Sequence, residues 1–475
     1  MCVLDACRTG LMIGVVVLCG CARYHPRPLD APQLERDYRS RSLAAEGVRA
    51  YVESNVTPKP SEWPPASLDL PLVTALAFYY NPELDVARAR VETAEAAVVT
   101  AGGRLNPSLN TGGGYSNNPE SALVFHFDMA FTLETAAKRA LRILQAQKLA
   151  EAARTELAET AWRVRSHVRG ALLAHLFAAR RLSLLQGEVA VRAESLELLK
   201  KRLEVGEVSR PDVTAAEIET STATVALRTA EGQVVETRAA LAAAVGVPID
   251  ALGALPVRWQ KVESLTALDR LPLEKVQEAG LVHRADVRRS LLAYAAAEAA
   301  LRLEIARQYP DIDLNPGYSF DEAHHKIAFG PAFAVPVFNR NKGPIAEAEA
   351  RRQESAALFT ALQAQAIAEM EASLARYRTA LAEFDEADRL AQLQREREES
   401  VRRALAAGEE DRLALAGARA ESAVAARVRL DVLERAQAAF GALEDAVQQP
   451  LTAGAALPAI PVKSPRATTG KGEMP

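Results

Sequence analysis

Cysteine is missing from the whole sequence after residue 21, where the last of the four cysteines stands. This absence excludes a disulfide framework, a zinc knuckle and a cysteine nucleophile from residues 22–475. A basic excess is missing too, since 57 Lys and Arg face 61 Asp and Glu for a net charge of −4. That balance argues against a nucleic-acid-binding protein. Aromatic residues make up only 5% of a chain that is 49% hydrophobic, and the alanine-rich remainder favours long, closely packed helices.

Long apolar runs are also lacking, because no stretch of 18 apolar residues follows the first 21. A membrane crossing would therefore have to use β-strands. Arg8 and the short apolar run Leu11–Leu18 predict a secretory signal peptide over residues 1–20. Residues 18–21, Leu-Cys-Gly-Cys, resemble the lipobox of bacterial lipoproteins, which implies that Cys21 is acylated, for example with palmitate, and begins the mature chain. An ordinary cleaved signal with incidental cysteines is the alternative.

Prolines mark both ends of the remaining chain. Eight of them lie between Ala22 and Pro71, which predicts an extended, lipid-anchored strap over residues 21–67 with at most a short helix around Leu34–Val52. Five more lie in residues 450–475, and we expect that tail to be disordered.

The middle of the chain repeats itself at a fixed offset. Arg104 and Pro107 recur as Arg307 and Pro310, and both pairs are 203 apart (307 − 104 and 310 − 107). The register continues through later pairs, so the chain is predicted to be a tandem duplication of a unit of about 200 residues. We place the two repeats at residues 68–255 and 271–449.

Each repeat changes its hydrophobic period in the same order. A helical period over Val86–Arg104 and Val287–Gln308 is followed by alternating stretches that predict hairpins. The alternation includes Phe125, Phe127 and Phe131 in the first repeat and continues to Val337 in the second. Strands of about ten residues with one apolar face are typical of outer-membrane β-barrels, although edges of soluble sandwiches look similar.

After each hairpin the helical pattern is very long. Thr135–Arg202 contains no proline, and the second copy is proline-free from Ile345 to Gln449 with a break at Gly408. A helix of roughly 68 residues would be about 100 Å long. Leucine and valine at three- and four-residue spacing predict antiparallel coiled-coil packing along its length.

Catalytic motifs are not found. The sequence offers no phosphate-binding glycine loop, no recognisable catalytic triad and no zinc-ligand spacing, so we predict neither an enzyme nor a cofactor. His324 and His325 with Asp321 and Glu322 could touch a metal weakly, but a polar loop is the favoured interpretation.

The repeated order of helix, hairpin, long helix and returning helix resembles the TolC-like outer-membrane efflux family over about residues 68–447. Residues 131–139, FTLETAAKR, and 335–343, VPVFNRNKG, are similar to the strand-to-helix junctions of its cobalt–zinc–cadmium branch. Residues 24–28, YHPRP, are also similar to that branch. Ala136 and Ala137 stand where the resemblance leads us to expect glycines.

The resemblance implies a mainly α fold with a small β part in the bacterial outer membrane. Three protomers would each give four strands to a 12-stranded transmembrane barrel, and long antiparallel coiled-coil helices would form a periplasmic tunnel. The apolar faces led by Phe125, Phe127 and Phe329 would meet lipid. The implied partners are two further copies of the chain, a periplasmic adaptor and an inner-membrane pump.

Two turns between the long helices, residues 206–212 and 408–412, would form the periplasmic tip. Gly206 and Gly408 would contact the adaptor. The acidic residues would line or flank the gate, where threefold repetition makes rings of charge that favour cations. These gate residues are Asp212, Glu409, Glu410 and Asp411. Ordinary helix capping by the same glycines and acids is the alternative.

Together these features predict a passive exit duct for heavy-metal cations in a tripartite efflux system. A multidrug or organic-solute duct of the same fold is the alternative. A periplasmic coiled-coil scaffold without a pore is a second function class, and the alternating phenylalanines argue against it because a scaffold has no need of them.

Overall fold

The computed structural model describes residues 24–57, 59–60, 62–115, 123–253, 255–268, 280–321, 324–451 and 458–461. The predicted signal peptide and Cys21 lie outside the described residues, as do residues 117–120 and Glu322. Contacts divide the chain into two units, residues 1–42 and 43–475. The first contains helix α1, Ala31–Arg39, which begins after Asp30 because that carboxylate accepts a hydrogen bond from the Gln33 amide at 3.1 Å.

The second unit begins with helices α2 (Glu46–Asn55) and α3 (Leu70–Tyr80). The single short helix predicted around Leu34–Val52 is therefore wrong, because α1 ends at Arg39 and a loop precedes α2. Leu43, in that loop, is buried in the hydrophobic core.

Two sets of elements then follow in the same order: a helix, two strands, a very long helix and a returning helix. The first set is α4 (Pro82–Ala101), β1 (Ser108–Tyr115), β2 (Leu123–Leu133), α5 (Lys138–Glu204) and α6 (Arg210–Val245). The second set is α7 (Ala285–Ala306), β3 (Ile312–Asp321), β4 (His324–Ala332), α8 (Lys342–Ala407) and α9 (Arg412–Val447). The predicted mainly α fold with a small sheet is confirmed.

The four strands form one antiparallel sheet in the order β1-β2-β3-β4. Alternation places aromatic side chains together on one face, as predicted for Phe125 and Phe127. Phe125 stacks on Phe320 at 5.5 Å between ring centroids, and Phe127 lies 5.5 Å from the ring of Tyr318. The opposite face carries small and polar residues.

The predicted second strand of the second hairpin is too long. Alternating apolar residues predicted it to continue to Val337, but β4 ends at Ala332. Phe333, Val335 and Val337 are exposed in the single chain.

The long helices pack as antiparallel pairs. α5, with 67 residues, contacts α4, α6, α7 and α9, and α8, with 66 residues, contacts α7 and α9. Among the described helices, none is both long and apolar enough to cross a membrane.

The largest core cluster lies where α3 packs against α2, α5 and α6. Gly246 ends α6 at φ +86°, and a Cβ there would lie 2.9 Å from the Tyr80 carbonyl oxygen. A glycine is therefore required at this helix end, both for its left-handed backbone and for the close approach of α3.

The tail also contacts this unit at residues 458–461. The Tyr51 hydroxyl donates to the Ala459 carbonyl oxygen at 2.6 Å, and the Ala459 amide donates to Asn55 Oδ1 at 3.1 Å. The disorder expected for residues 450–475 does not hold for these four residues, because Ile460 packs against the core beside them.

Candidate functional site

The first far turn joins α5 to α6. Gly206 has φ +77°, so α5 ends in the left-handed conformation that favours glycine. Asp212 and Ser209 form a capping box at the start of α6. The carboxylate accepts from the Ser209 amide at 2.9 Å and from its hydroxyl at 2.6 Å. These bonds hold the pKa of Asp212 below its usual value.

The second far turn joins α8 to α9 in the same manner. Gly408 has φ +81°. Asp411 is the N-cap of α9 and accepts a hydrogen bond from the Ala414 amide at 2.8 Å. The pKa of Asp411 is lowered first by that backbone bond and then by its bond to Arg202.

An ion pair joins the two far turns. Arg202 in the last turn of α5 donates from Nη2 to Asp411 Oδ2 at 2.5 Å, across 209 residues of sequence. Glu207 lies farther away, at 3.9 Å from Arg202 Nε. Asp411 is therefore both a helix cap and the partner of a cation from the other turn.

The four predicted acidic positions thus differ in their surroundings. Asp212 and Asp411 are held by helix caps, whereas Glu409 and Glu410 are exposed, and no side-chain hydrogen bond or ion pair of either is found among the described residues. Helix capping, the alternative interpretation, therefore accounts for Asp212 and Asp411 and not for the two glutamates. Sequence reasoning missed Arg202, and no local signal could have found it, because its partner Asp411 lies 209 residues away along the chain.

The polar face of the sheet carries two side chains that the sequence analysis did not single out. His126 of β2 lies over Gly112 of β1, where a Cβ would overlap the imidazole ring. Asp128 lies over Gly317 of β3, where a Cβ would overlap the carboxylate. Glycine on the neighbouring strands therefore lets both side chains lie flat against the sheet.

The described residues of the outer hairpin form paired contacts. The Tyr318 hydroxyl and His325 Nδ1 are 2.5 Å apart, and Lys326 Nζ lies 3.1 Å from Asp321 Oδ2. Within the part of the chain that the structure describes, no group of three or more His, Cys, Asp or Glu could hold a metal ion.

The first junction, residues 134–142, joins β2 to α5 and is held by charge. Lys138 is buried, and its Nζ lies 2.6 Å from both the Tyr309 carbonyl oxygen and Asp311 Oδ1. The same Asp311 oxygen accepts from the Thr135 amide at 2.9 Å. Ala136 and Ala137, where the resemblance led us to expect glycines, adopt φ of 52° and 57°, which lie in the left-handed region that favours glycine.

The second junction, residues 337–345, joins β4 to α8 and is more open. Asn341 takes the left-handed conformation, with φ 58°. Its Nδ2 donates to the Glu304 carbonyl oxygen at 2.7 Å and to Glu304 Oε2 at 3.0 Å. Lys342 is exposed, and no ion pair to it is found in the described ranges.

A buried polar cluster also fixes α5 against α9. Arg165 and Glu444 are both buried and form an ion pair at 3.0 Å. Arg169 donates to the Gln437 carbonyl oxygen at 3.1 Å, and it occupies the space where Gly441 would carry a Cβ. Burial lowers the pKa of Arg169, although Glu444 opposes the shift.

Comparison with known proteins identifies similar chains. Residues 75–247 match the family described as Outer membrane efflux protein. A cobalt-zinc-cadmium resistance protein, CzcC of Cupriavidus metallidurans, is 27% identical over 278 residues, which are 58% of this chain and 65% of that protein. The match therefore spans just under two thirds of that relative's length.

Two solved structures share the fold. The outer membrane protein VceC from Vibrio cholerae superimposes with a TM-score of 0.65 at 22% identity, covering 81% of this chain and 97% of VceC. The channel CusC gives a TM-score of 0.66 at 17% identity, covering 90% of this chain and 99% of CusC. The resemblance stated from the sequence is confirmed.

Proposed function

We propose that this chain, whose residues 75–247 match the outer membrane efflux protein family, is the outer-membrane exit duct of a tripartite efflux system for heavy-metal cations. The observation that carries the proposal is an open four-stranded sheet with one aromatic face, joined directly to helices of 67 and 66 residues. The sheet suits a lipid boundary and the helices suit a long conduit. Transport is passive, and an inner-membrane pump supplies the energy without catalysis by this chain.

The sheet needs partners to function in a membrane. β1 and β4 are its two open edges, and unpaired strand edges are costly in lipid. Four strands cannot close a barrel, whereas three copies supply twelve. In this assembly Phe127 and its neighbours face lipid, and the face with His126 and Asp128 lines the aqueous path. An acyl chain on Cys21 adds a second anchor in the outer membrane.

The far turns form the gate and the adaptor contact in this proposal. Three copies repeat Asp212, Glu409, Glu410 and Asp411 around the axis, so the acids form rings that favour cations. The bond from Arg202 to Asp411 holds the two turns of each copy together and favours the closed state. Gly206 and Gly408 give each turn a tight, exposed corner that an adaptor protein can contact.

Gate variants can separate charge from helix capping. Asp411→Asn keeps an efficient N-cap but loses the ion pair with Arg202. We expect it to raise leak conductance in planar bilayers, as Arg202→Ala should. Glu409→Gln with Glu410→Gln removes charge without touching a cap and should reduce cation selectivity, measured as a reversal potential. Currents identical to wild type in all these variants would remove the gate assignment.

Heavy metals are the proposed cargo because CzcC is described as a cobalt-zinc-cadmium resistance protein. Deletion of the gene in its host should cause sensitivity to Zn, Co, Cd, Ni or Cu salts, and the intact gene should restore growth. Sensitivity only to dyes and antibiotics would favour the multidrug alternative and discard the metal cargo.

The scaffold alternative makes a different prediction about the membrane. Phe127→Asp places a charge on the proposed lipid face, whereas His126→Asp places the same charge on the adjacent polar face. We expect the first variant to be lost from the outer-membrane fraction and the second to remain and resist carbonate extraction. Carbonate release of the wild-type protein would favour a scaffold.

A further inference from the structure

The last described residues of the chain lie on helix α2, which is far from them in the sequence. Segment 458–461 reads Pro-Ala-Ile-Pro. The Tyr51 hydroxyl donates to the Ala459 carbonyl oxygen at 2.6 Å, and the Ala459 amide donates to Asn55 Oδ1 at 3.1 Å. Two side chains of α2 therefore bind both polar groups of one backbone residue, across 408 and 404 residues of sequence.

Asn55 is oriented for this contact by its own helix. Its Nδ2 donates to the Tyr51 carbonyl oxygen and to Ser54 Oγ, both at 2.9 Å. A carboxamide has separate donor and acceptor ends, so these bonds leave Oδ1 as the end that faces the tail. The acceptor is thus placed by residues of α2 and does not depend on the tail for its orientation.

Tyr51 is positioned by aromatic residues of α3. Its ring lies 5.7 Å from the ring of Tyr79, which in turn lies 4.9 Å from the ring of Tyr80 in an edge arrangement. Tyr79 approaches α2 so closely that its hydroxyl lies 2.8 Å from where Gly47 would carry a Cβ. Burial raises the pKa of Tyr51 to about 12, so its hydroxyl keeps the proton that it donates. The donor, like the acceptor, belongs to a surface built by α2 and α3.

The side chains of segment 458–461 alternate between the core and solvent. Pro458 is buried, Ala459 is exposed, and Ile460 is half-buried and packs against the largest core cluster. Alternation with a period of two is the pattern of an extended chain. The segment therefore presents its backbone polar groups at Ala459 and an apolar side chain on either side of that residue.

The two prolines suit the segment to binding in an extended form. Proline fixes φ at about −65°, and the residue before a proline is disfavoured in the helical region. Because both prolines also lack an amide hydrogen, Ala459 and Ile460 carry the only backbone donors in the segment. Such a segment loses less conformational entropy when it binds, which is why aromatic-lined grooves are effective receptors for proline-flanked peptides.

A short tether joins this segment to the rest of the chain. Leu451 follows α9, and its amide donates to Glu444 Oε1 at 2.9 Å. Residues 452–457, Thr-Ala-Gly-Ala-Ala-Leu, separate this anchor from Pro458. A linker of this length gives the segment an effective concentration on the order of millimolar near its site. Weak intrinsic binding is therefore sufficient to hold the tail on α2.

We propose that the surface of Tyr51, Asn55 and Tyr79 is a binding site for an extended, proline-flanked peptide. Residues 458–461 of the same chain are its ligand. Since α2 and α3 themselves position the donor and the acceptor, the tail is a latch that can leave its site and return to it. Docking joins the chain after α9 to a helix that precedes both sets of elements. This binding role is separate from the duct function proposed above.

Binding in trans tests the site with the ligand supplied as a separate peptide. A variant that ends at Leu457 lacks the segment, and a fluorescent peptide of residues 456–462, Ala-Leu-Pro-Ala-Ile-Pro-Val, is titrated against it in detergent. We expect saturable binding by fluorescence polarisation. Binding to the full chain should be at least about tenfold weaker, because the tethered tail occupies the site. A variant that ends at Pro461 is the matched control and should bind as weakly as the full chain.

Two substitutions check the assigned hydrogen bonds. A peptide with Ala459→Pro lacks the amide that donates to Asn55, and Tyr51→Phe in the truncated protein lacks the hydroxyl that donates to the tail. Each should weaken binding about fivefold, which corresponds to the loss of one hydrogen bond. Tyr38→Phe, at an exposed tyrosine of α1, is the control and should leave the affinity unchanged.

Three results of these titrations would contradict the site. They are no binding of the peptide to the truncated protein, equal binding to the truncated and full chains, and an affinity that neither Ala459→Pro nor Tyr51→Phe lowers. The first two would show that the surface does not bind the segment as a separate ligand. The third would show that the peptide binds elsewhere.

A cleavable tail covers the case in which the truncated variant does not fold. A protease recognition sequence in place of residues 452–456 lets the full chain fold first, and cutting then frees the tail from its tether. The cut fragment should dissociate on dilution, and it should do so about fivefold faster with Tyr51→Phe. A fragment that stays bound until the protein unfolds would show that the tail is a fixed part of the core and would overturn the latch.

Discussion

The two strand-to-helix junctions bend the backbone in the same way but contact different parts of the chain. The first junction binds the start of β3 through Lys138, which is buried against Asp311. The second contacts α7 through Asn341 and leaves Lys342 exposed. Lys138 and Lys342 each begin a very long helix, yet the first is buried and the second is exposed.

This difference shows that the two junctions are alike in their bends and not in their contacts. Both junctions use left-handed residues to turn the chain into a long helix. Among the described strands, β2, which precedes the first junction, pairs with both β1 and β3, whereas β4, which precedes the second, pairs with β3. The polar contacts of the first junction join α5 to the residue before β3, whereas those of the second junction join the start of α8 to α7.

The largest expected effect comes from the two lysines. Lys138→Met removes charged hydrogen bonds from a buried site and should lower the free energy of unfolding by about 2 kcal/mol. Lys342→Met, at an exposed site, should change it by no more than about 0.5 kcal/mol. Denaturant unfolding in detergent, followed by circular dichroism, measures both. Equal effects would remove the distinction between the junctions.

The difference in stability between wild type and Lys138→Met should depend on pH. Burial alone would raise the pKa of Asp311, but hydrogen bonds from Lys138 and the Thr135 amide overcome it and leave the pKa lowered. A carboxyl with a lowered folded pKa stabilises the fold above its unfolded pKa of about 4 and loses that effect as pH falls through the folded value. The gap between wild type and Lys138→Met should therefore narrow in acid and remain constant near neutral pH. Unfolding curves of both proteins across the acid range measure the gap, and a gap that widens in acid would contradict this role of Asp311.

An intermediate effect is expected at Asn341. Asn341→Ala loses both bonds to Glu304 and forces alanine into the left-handed region, so we expect a loss of about 1–2 kcal/mol. Asn341→Gly loses the same bonds without the backbone strain and should cost less. Thermal unfolding of the two variants side by side measures the difference, and the reverse order would contradict the role of the positive φ.

The smallest expected effect is a gain in stability from a substitution at the first junction. Ala137→Gly relieves the left-handed strain and should stabilise the fold by roughly 0.5–1 kcal/mol, which thermal unfolding measures. Ala357→Gly, at an exposed position inside α8, should instead cost about 1 kcal/mol. Loss of stability in both variants would show that the strain at Ala137 is compensated elsewhere.

Local sequence patterns were sufficient to predict the very long helices and the presence of two hairpins, but not the helices before residue 70 or the end of β4. The proline-free stretch after Thr135 predicted α5, which begins at Lys138 and ends at Glu204. The expectation of glycine at residues 136 and 137 came from the family resemblance, and both alanines there have the positive φ that favours glycine. Periodicity and turn chemistry act over a few residues, so one sequence reveals them.

Contacts between distant segments could not be predicted in this way. Arg202 and Asp411 are 209 residues apart, and neither turn alone indicates the ion pair. The excess length predicted for β4 has a related cause, since an alternating segment forms a strand only where a partner edge is present. The gate residues stay a prediction, with two of them already engaged as helix caps.

The matched lengths of the helices have a consequence for how such a chain can change in size. α5 and α8 have 67 and 66 residues, and α6 and α9 have 36 each. Each inserted residue would move a far turn by about 1.5 Å and rotate it by about 100°. An insertion in one helix would separate Arg202 from Asp411. The distance from the sheet to the far turns can therefore increase only if all four helices are lengthened equally.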